Sequence, residues 1–238
     1  MKWFTLLLSI SLVSCTHYHN NTSYYIKDTI RIPDPVYRSV AQIAVELEVG
    51  QAIGTAFAIR NINNNTYMVT VNHLCESRFR EVVAFSASGP GPGRNEFIGK
   101  TVYINPENDL CIIRLYDTGE QFIPLKFAEE PPIAGDRIFT IGSPSGAFPT
   151  KTDGYVVGHD LLGMVPEGTE LGADELKVLL VTSVPAFSGN SGGPLYNERH
   201  EVVGMISATH KRYPHSSISV HYEAILKHLK VYFKKDFK

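Results

Sequence analysis

From Val36 onward, apolar and polar positions alternate with period two or run apolar in short bursts rich in β-branched residues. YRSVAQIAVELEV (37–49), AIGTAFAIR (52–60) and TYMVTVNH (66–73) are the first such segments. This pattern, bounded by turn residues, predicts strands with a buried face. INNN (62–65) joins the second and third as a tight turn. REVVAFSA (80–87), EFIGKTVYI (96–104), DLCIIRLY (109–116), RIFTIGS (137–143), DGYVVGH (153–159), LKVLLVTSV (176–184), EVVGMISA (201–208) and SSISV (216–220) follow. SASGPGPGRN (86–95), AEEPPIAGD (128–136) and SPSGAFPTKT (143–152) are loops by composition. About a dozen short strands at this spacing predict an all-β sandwich or barrel. One helix is expected near residues 221–235, where Tyr222, Ile225, Leu226, Leu229, Tyr232 and Phe233 recur at helical spacing with the lysines largely opposite. That stripe reads as a face docked on the β domain, not as a membrane or partner helix.

The first fifteen residues follow a different pattern. Lys2 precedes an apolar run from Trp3 to Val13, eleven residues long. That is too short to span a bilayer and suits a signal-peptide core. Leu12-Val13-Ser14-Cys15 resembles the bacterial lipobox, which makes Cys15 a candidate lipidation site. The alternative is an ordinary signal peptide cut near Ser14 or Cys15, giving a secreted protein. Residues 16–36 are polar and mixed and read as a tether; the His17 and His19 pair has no further ligand cluster nearby. Residues 37–238 remain for the folded domain.

Composition narrows the class. Hydrophobic residues are 43% and charged residues 19%, which is globular. A net charge of −2 disfavours nucleic acid as a partner. The three cysteines, Cys15, Cys75 and Cys111, are too scattered for a zinc site. No H-E-x-x-H or clustered ligands occur, so neither a metal nor a cofactor is expected. Export would place the chain where disulfides can form.

The chemistry concentrates in PAFSGNSGGPLYNERHEVVGMISA (185–208). A serine hydroxyl is a weak nucleophile that needs a base, and the base needs an orienting acceptor. The developing oxyanion needs preorganised N–H donors. Around Ser191, the glycines of Gly189-Asn190-Ser191-Gly192-Gly193-Pro194 permit a tight turn that aims the N–H groups of Gly189 and Ser191 into one small pocket.

G-N-S-G-G-P-L resembles the nucleophile motif of chymotrypsin-like serine proteases, and is most similar to the HtrA-type bacterial branch. MVTVNHLCE, with His73, resembles the family's T-A-A-H or T-N-x-H segment. NPENDLCIIRL, with Asp109, resembles its N-D strand. GTAFAIR (54–60) and IGSPSGAFPTKTDGYVVGH (141–159) resemble its glycine-rich strand and the start of its second barrel. The intervals of 36 residues from His73 to Asp109 and 82 from Asp109 to Ser191 suit two barrels. The matching segments span roughly Val40 to Leu229. The resemblance implies two six-stranded antiparallel Greek-key β-barrels, about 37–130 and 131–220, with the active site in the cleft between them and a C-terminal helix. It implies Ser191 as nucleophile, His73 as base and Asp109 as its orienter, with an oxyanion hole formed by Gly189, Asn190 and Ser191. Ser207 would hydrogen-bond the Asp and begin a strand, Ser207-Ala208-Thr209, that pairs with a peptide substrate.

Departures from the family refine these expectations. Asn190 stands where trypsin-like zymogens carry an Asp, so activation by a new N-terminus is not expected. Pro185 stands where trypsin has its pocket Asp, and Ile206 where glutamyl endopeptidases have a His. An apolar pocket of Pro185, Ala186, Ile206 and Thr209 is left, expected to accept small or medium apolar side chains. Cys75 and Cys111 each lie two residues beyond a site residue; they admit either a bond or two buried free thiols. The PDZ domain that HtrA-type proteases append is not expected. The expected protein is an exported serine endopeptidase, tethered to a bacterial-type envelope membrane if Cys15 is lipidated, with a protein or peptide substrate. A catalytically silent binding module is the alternative, and ester hydrolysis or acyl transfer at the same site is a third reading.

Overall fold

In a computed structural model, residues 34–46, 50–76, 80–86, 95–160, 179–209 and 216–234 are described. The candidate leader with Cys15, and the tether through residue 33 with His17 and His19, lie outside the described residues.

Each half of the remaining chain closes a barrel. β1 (Val40–Glu46), β2 (Gln51–Ile62), β3 (Asn65–Thr70), β4 (Glu81–Ser86), β5 (Glu96–Asn105) and β6 (Leu110–Leu115) close in the order β1-β2-β3-β6-β5-β4. β7 (Arg137–Gly142), β8 (Thr150–Asp160), β9 (Leu179–Thr182), β10 (Pro194–Tyr196), β11 (Val202–Thr209) and β12 (Ser217–His221) close as β7-β8-β9-β12-β11-β10. The same antiparallel Greek-key order occurs twice, and it is the expected fold. The period-two pattern explains the closure: alternate side chains share a face, as with Ile43, Met68 and Ile113, which fall in register on one face of the first barrel and are fully buried. Asn63 and Asn64 both take positive φ in the β2–β3 turn, a conformation Asn tolerates.

Two elements differ from the sequence expectation. Asp34–Tyr37 (α1) forms a single helical turn at the end of the expected tether, with Val36 buried against the first barrel. Pro35 has the φ a first turn needs, and the Ser39 hydroxyl donates to the Val36 carbonyl at 2.6 Å. β8 begins at Thr150, inside an expected loop, because Thr150 and Lys151 find register partners in Gly142 and Ile141.

The barrels are joined by more than the chain. The buried Tyr196 of β10 shares a 3.0 Å hydrogen bond with Ser39, at the mouth of β1. α2 (Tyr222–Phe233) leaves the second barrel and lays aromatics on the first: Phe233 meets Tyr67 of β3, and Tyr232 meets Tyr103 of β5. Its buried Tyr222, Ile225 and Leu229 come from the stripe read in the sequence, while Lys227 and Lys230 are exposed.

Cys75 and Cys111 form a disulfide that ties the 3-10 turn Asn72–Leu74, after β3, to β6. The open question between bond and free thiols is thereby resolved. Closing a 36-residue interval removes chain entropy from the unfolded state. Replacing both cysteines by Ala should lower stability by about 3–4 kcal/mol. Urea unfolding of the parent with and without reductant, beside the double variant, checks this; equal midpoints for all three would contradict it.

Candidate active site

His73 occupies the 3-10 turn that caps β3, and Asp109 ends the Asn105–Asp109 turn before β6. Because β3 and β6 are neighbours in the first barrel, residues 36 positions apart meet at one rim. Asp109 accepts from the His73 main-chain N–H at 3.0 Å, and its carboxylate lies 3.0 and 3.1 Å from His73 Nδ1. Facing an ionised carboxylate, Nδ1 carries the proton and Nε2 is left as the basic nitrogen. Asp109 has φ +47, a conformation its turn imposes. The Asn105 side chain accepts from both the main-chain and side-chain N–H of Asn108, and the Asn108 amide also reaches His228 Nε2 at 2.9 Å. α2 therefore buttresses the turn that presents Asp109.

The second barrel supplies the facing wall. Register shifts between Ile206 and Ala208 where β11 pairs with β12, and this bulge re-aims Ser207. Its hydroxyl donates to Asp109 Oδ2 at 2.5 Å. Its carbonyl accepts from Ser191 Oγ at 3.2 Å. Among the described residues the Ser191 hydroxyl makes no hydrogen bond to His73. Such contacts are commonly loose before substrate binds.

Ser191 lies on a turn that no side chain could populate freely at two points. Gly189 and Gly192 have φ of +98 and +84. A Cβ at either would stand 2.1 Å from a carbonyl oxygen, that of Ser143 or of Thr55. The donors around Ser191 divide cleanly. The Asn190 N–H donates to Phe187 and the Gly192 N–H to Ile206. Among the described residues, the N–H groups of Gly189 and Ser191 donate to no protein group. Asn190, expected as part of the oxyanion hole, has no free N–H to contribute: the turn points it back along its own loop to the Phe187 carbonyl at 2.9 Å. Its buried side chain instead donates to the Pro185 carbonyl at 3.2 Å.

Of the expected pocket residues, Pro185 and Ala186 begin that loop and Ile206 is buried under it. The Thr209 hydroxyl donates to the Ala186 carbonyl at 3.2 Å and fastens the loop to the end of β11. β10 pairs with β11 only as far as Met205, so Ser207-Ala208-Thr209 meets β12 on one side and no strand of the described residues on the other. The sequence reading missed Thr55 and Ser143, whose buried hydroxyls both reach the Gly189 carbonyl. Neither occupies a position that spacing alone would mark.

The model of the family described as "Trypsin-like peptidase domain" matches residues 54–205, from the glycine-rich strand through the middle of β11. The chain belongs to this family. A probable periplasmic serine endoprotease DegP-like of Ectopseudomonas mendocina is 29% identical over 157 residues, 66% of this chain and 29% of that protein. Its counterpart in Brucella suis biovar 1 is 25% identical over 158 residues, again 66% of this chain and 28% of that protein. The chain thus spans under a third of the length of these curated relatives. Among solved structures, the active form of the Rv3671c protease of M. tuberculosis superposes with a TM-score of 0.66 at 21% identity, covering 80% of this chain and 78% of that one. The HtrA-type protease AlgW with tripeptide gives 0.65 at 20% identity, covering 81% and 59%. These likenesses carry the fold.

The Asp109 hydrogen bond raises the His73 pKa above its ordinary 6.5, against a smaller opposing effect of burial. Burial pushes Asp109 up, but hydrogen bonds from His73 and Ser207 together outweigh it and hold the carboxyl below 3.8. The signs set the stability windows. His73 stabilises the fold fully below 6.5 and loses that contribution as pH rises through its raised value. Asp109 contributes above 3.8 and loses it as pH falls through its lowered value. NMR titration of the imidazole should give a His73 midpoint above 6.5 that falls in Asp109→Asn; a parent midpoint at or below 6.5 would contradict the pairing.

Proposed function

We propose that this protein is an exported serine endopeptidase in which Ser191, His73 and Asp109 form the catalytic triad. The observation that carries the reading is the hydrogen-bonded run from Ser207 through Asp109 to His73, set beside Ser191 with two uncommitted N–H groups. Ser191 Oγ attacks the scissile carbonyl while His73 Nε2 takes its proton. The tetrahedral oxygen then carries the negative charge, and the N–H groups of Gly189 and Ser191 stabilise it. His73 returns the proton to the leaving amine, and Asp109 stabilises the imidazolium in between. Water hydrolyses the acyl-enzyme by the same path in reverse roles.

The substrate lies as an added strand on the open edge of Ser207-Ala208-Thr209. The side chain before the cut enters the pocket of Pro185, Ala186, Ile206 and Thr209. Neither residues 185–190 nor residues 206–209 include an acidic side chain, so a basic side chain finds no partner there. Small or medium apolar residues fit. The DegP-like relatives are named periplasmic, and the leader pattern of residues 1–15 supports export, with Cys15 as the lipid attachment point.

Several outcomes are expected. A fluorophosphonate probe should label the parent and not Ser191→Ala, which should lose about 10⁶-fold in kcat. Absence of parent labelling would favour the silent binding module. Asp109→Asn should retain the fold and lose about 10⁴-fold. Activity should fall as pH drops through the His73 pKa, because the imidazolium cannot accept the serine proton. A peptide library should show cutting after Val, Ala or Leu; efficient cutting after Arg and none after these would overturn the pocket assignment. Metabolic labelling with palmitate, abolished in Cys15→Ser, tests the anchor.

A further inference from the structure

We propose that Thr55 and Ser143 are positioning residues that hold the oxyanion hole formed before substrate arrives. The proposal rests on the proteolytic reading above and specifies what keeps that site competent. Four successive carbonyls of the nucleophile loop are each engaged. Ser188 accepts from the Ser145 N–H at 2.7 Å, Asn190 from the Gly193 N–H at 2.8 Å, and Ser191 from the Thr55 N–H at 2.9 Å. Gly189 accepts from two hydroxyls, Thr55 Oγ1 and Ser143 Oγ, each at 2.8 Å. A trans peptide is planar, with its N–H opposite its C=O. Holding the Ser188 carbonyl against Ser145 therefore turns the Gly189 N–H the other way, and holding Asn190 does the same for Ser191.

The clamp is needed because Gly189 is the softest residue of the loop. With no Cβ it crosses φ/ψ space readily, so its own sterics do not choose between the observed peptide and a flipped one. A flip would place the Ser188 carbonyl where the Gly189 N–H stands and leave the oxyanion facing an acceptor. Ser145 holds that peptide directly, and the grip on the neighbouring Gly189 carbonyl fixes the peptide plane to which it is joined. Both hydroxyls gripping it are fully buried, so water does not readily replace them. Their protons are accounted for. Ser143 has its main-chain N–H on Thr55 Oγ1 at 3.2 Å, which frees the Thr55 hydroxyl proton for Gly189. The Ser143 hydroxyl donates to Gly189, with the Gly54 carbonyl at 3.0 Å as its second acceptor.

The two grips come from different barrels. Thr55 lies on β2 and Ser143 follows β7. Thr55 holds alternate carbonyls, Gly189 by its hydroxyl and Ser191 by its N–H. The hole is therefore set by the docking of the first barrel on the second, with no activating peptide or new N-terminus required.

Thr55→Val keeps the shape and removes the hydroxyl. It should lower kcat by about 10- to 100-fold, approaching the loss of one oxyanion donor, with KM within about twofold. Ser143→Ala should lose less, and the double variant more than either. Thr55→Ser should recover kcat to within about threefold. A peptide boronate, which presents a tetrahedral oxygen, should weaken in step with kcat, a shift that a merely structural role would not produce. Unchanged kcat in Thr55→Val, or Thr55→Ser as impaired as Thr55→Val, would overturn the proposal. A second measurement needs no turnover: crystal structures of the parent and the double variant should differ by rotation of the Ser188–Gly189 peptide. An unmoved peptide overturns the clamp. A parent that neither labels nor cleaves defeats the proteolytic reading instead, and the crystal comparison still decides the clamp.

Discussion

The loop from Ser188 to Gly193 runs through the seam between two barrels, and its buried backbone groups must find protein partners. That requirement shapes the rest of the molecule. Thr55 reaches in from the first barrel, while Ser143, Ser145 and Ile206 reach in from the second. The approach is so close that a Cβ on Gly189 or Gly192 would collide with backbone oxygens. The glycine density around Ser191 is a consequence of this packing. An unengaged carbonyl there would cost about 1–3 kcal/mol, so the loop has one low-energy course. On that course the Gly189 and Ser191 N–H groups are left without a protein acceptor among the described residues.

The same seam governs His73 and Asp109. Both ride on neighbouring strands of the first barrel, and a disulfide two residues beyond each ties their supports together. Asp109 nonetheless needs the second barrel, because the hydroxyl of Ser207 completes its shell. α2 adds a further link, resting His228 on the Asp109 turn and aromatic rings on β3 and β5. Stability and site geometry are therefore coupled: whatever loosens one barrel from the other disturbs the partners of the Gly189 and Asp109 oxygens together.

Much of this was legible in the chain. The alternation of apolar residues located the strands, since a half-buried strand must repeat with period two. The stripe from Tyr222 to Phe233 located the helix for the corresponding reason at period 3.6. His73, Asp109 and Ser191 stood out because each sits beside a strand in the order and spacing the family resemblance implies. The pairing of Cys75 with Cys111 stayed open because two cysteines near two site residues do not define a Cα separation; the 6.5 Å that permits a bond exists only once β3 and β6 are neighbours. The start of β8 was missed because Pro, Ser and Thr composition indicates a loop, whereas pairing with Gly142 and Ile141 outweighs that local preference.

The sequence by itself determined which residues could do chemistry and the order in which the strands follow one another, because periodicity and residue type are local properties. Tertiary structure alone decided which backbone N–H groups are left without partners. Asn190 lies between Gly189 and Ser191 and was grouped with them in the expected hole, yet its N–H turns back to Phe187. Thr55 and Ser143 are 88 residues apart, and no local pattern marks them as partners. Their hydroxyls meet on one carbonyl because two closed barrels pack against each other, and hydrogen bonding is read from position in space, not from position in the chain.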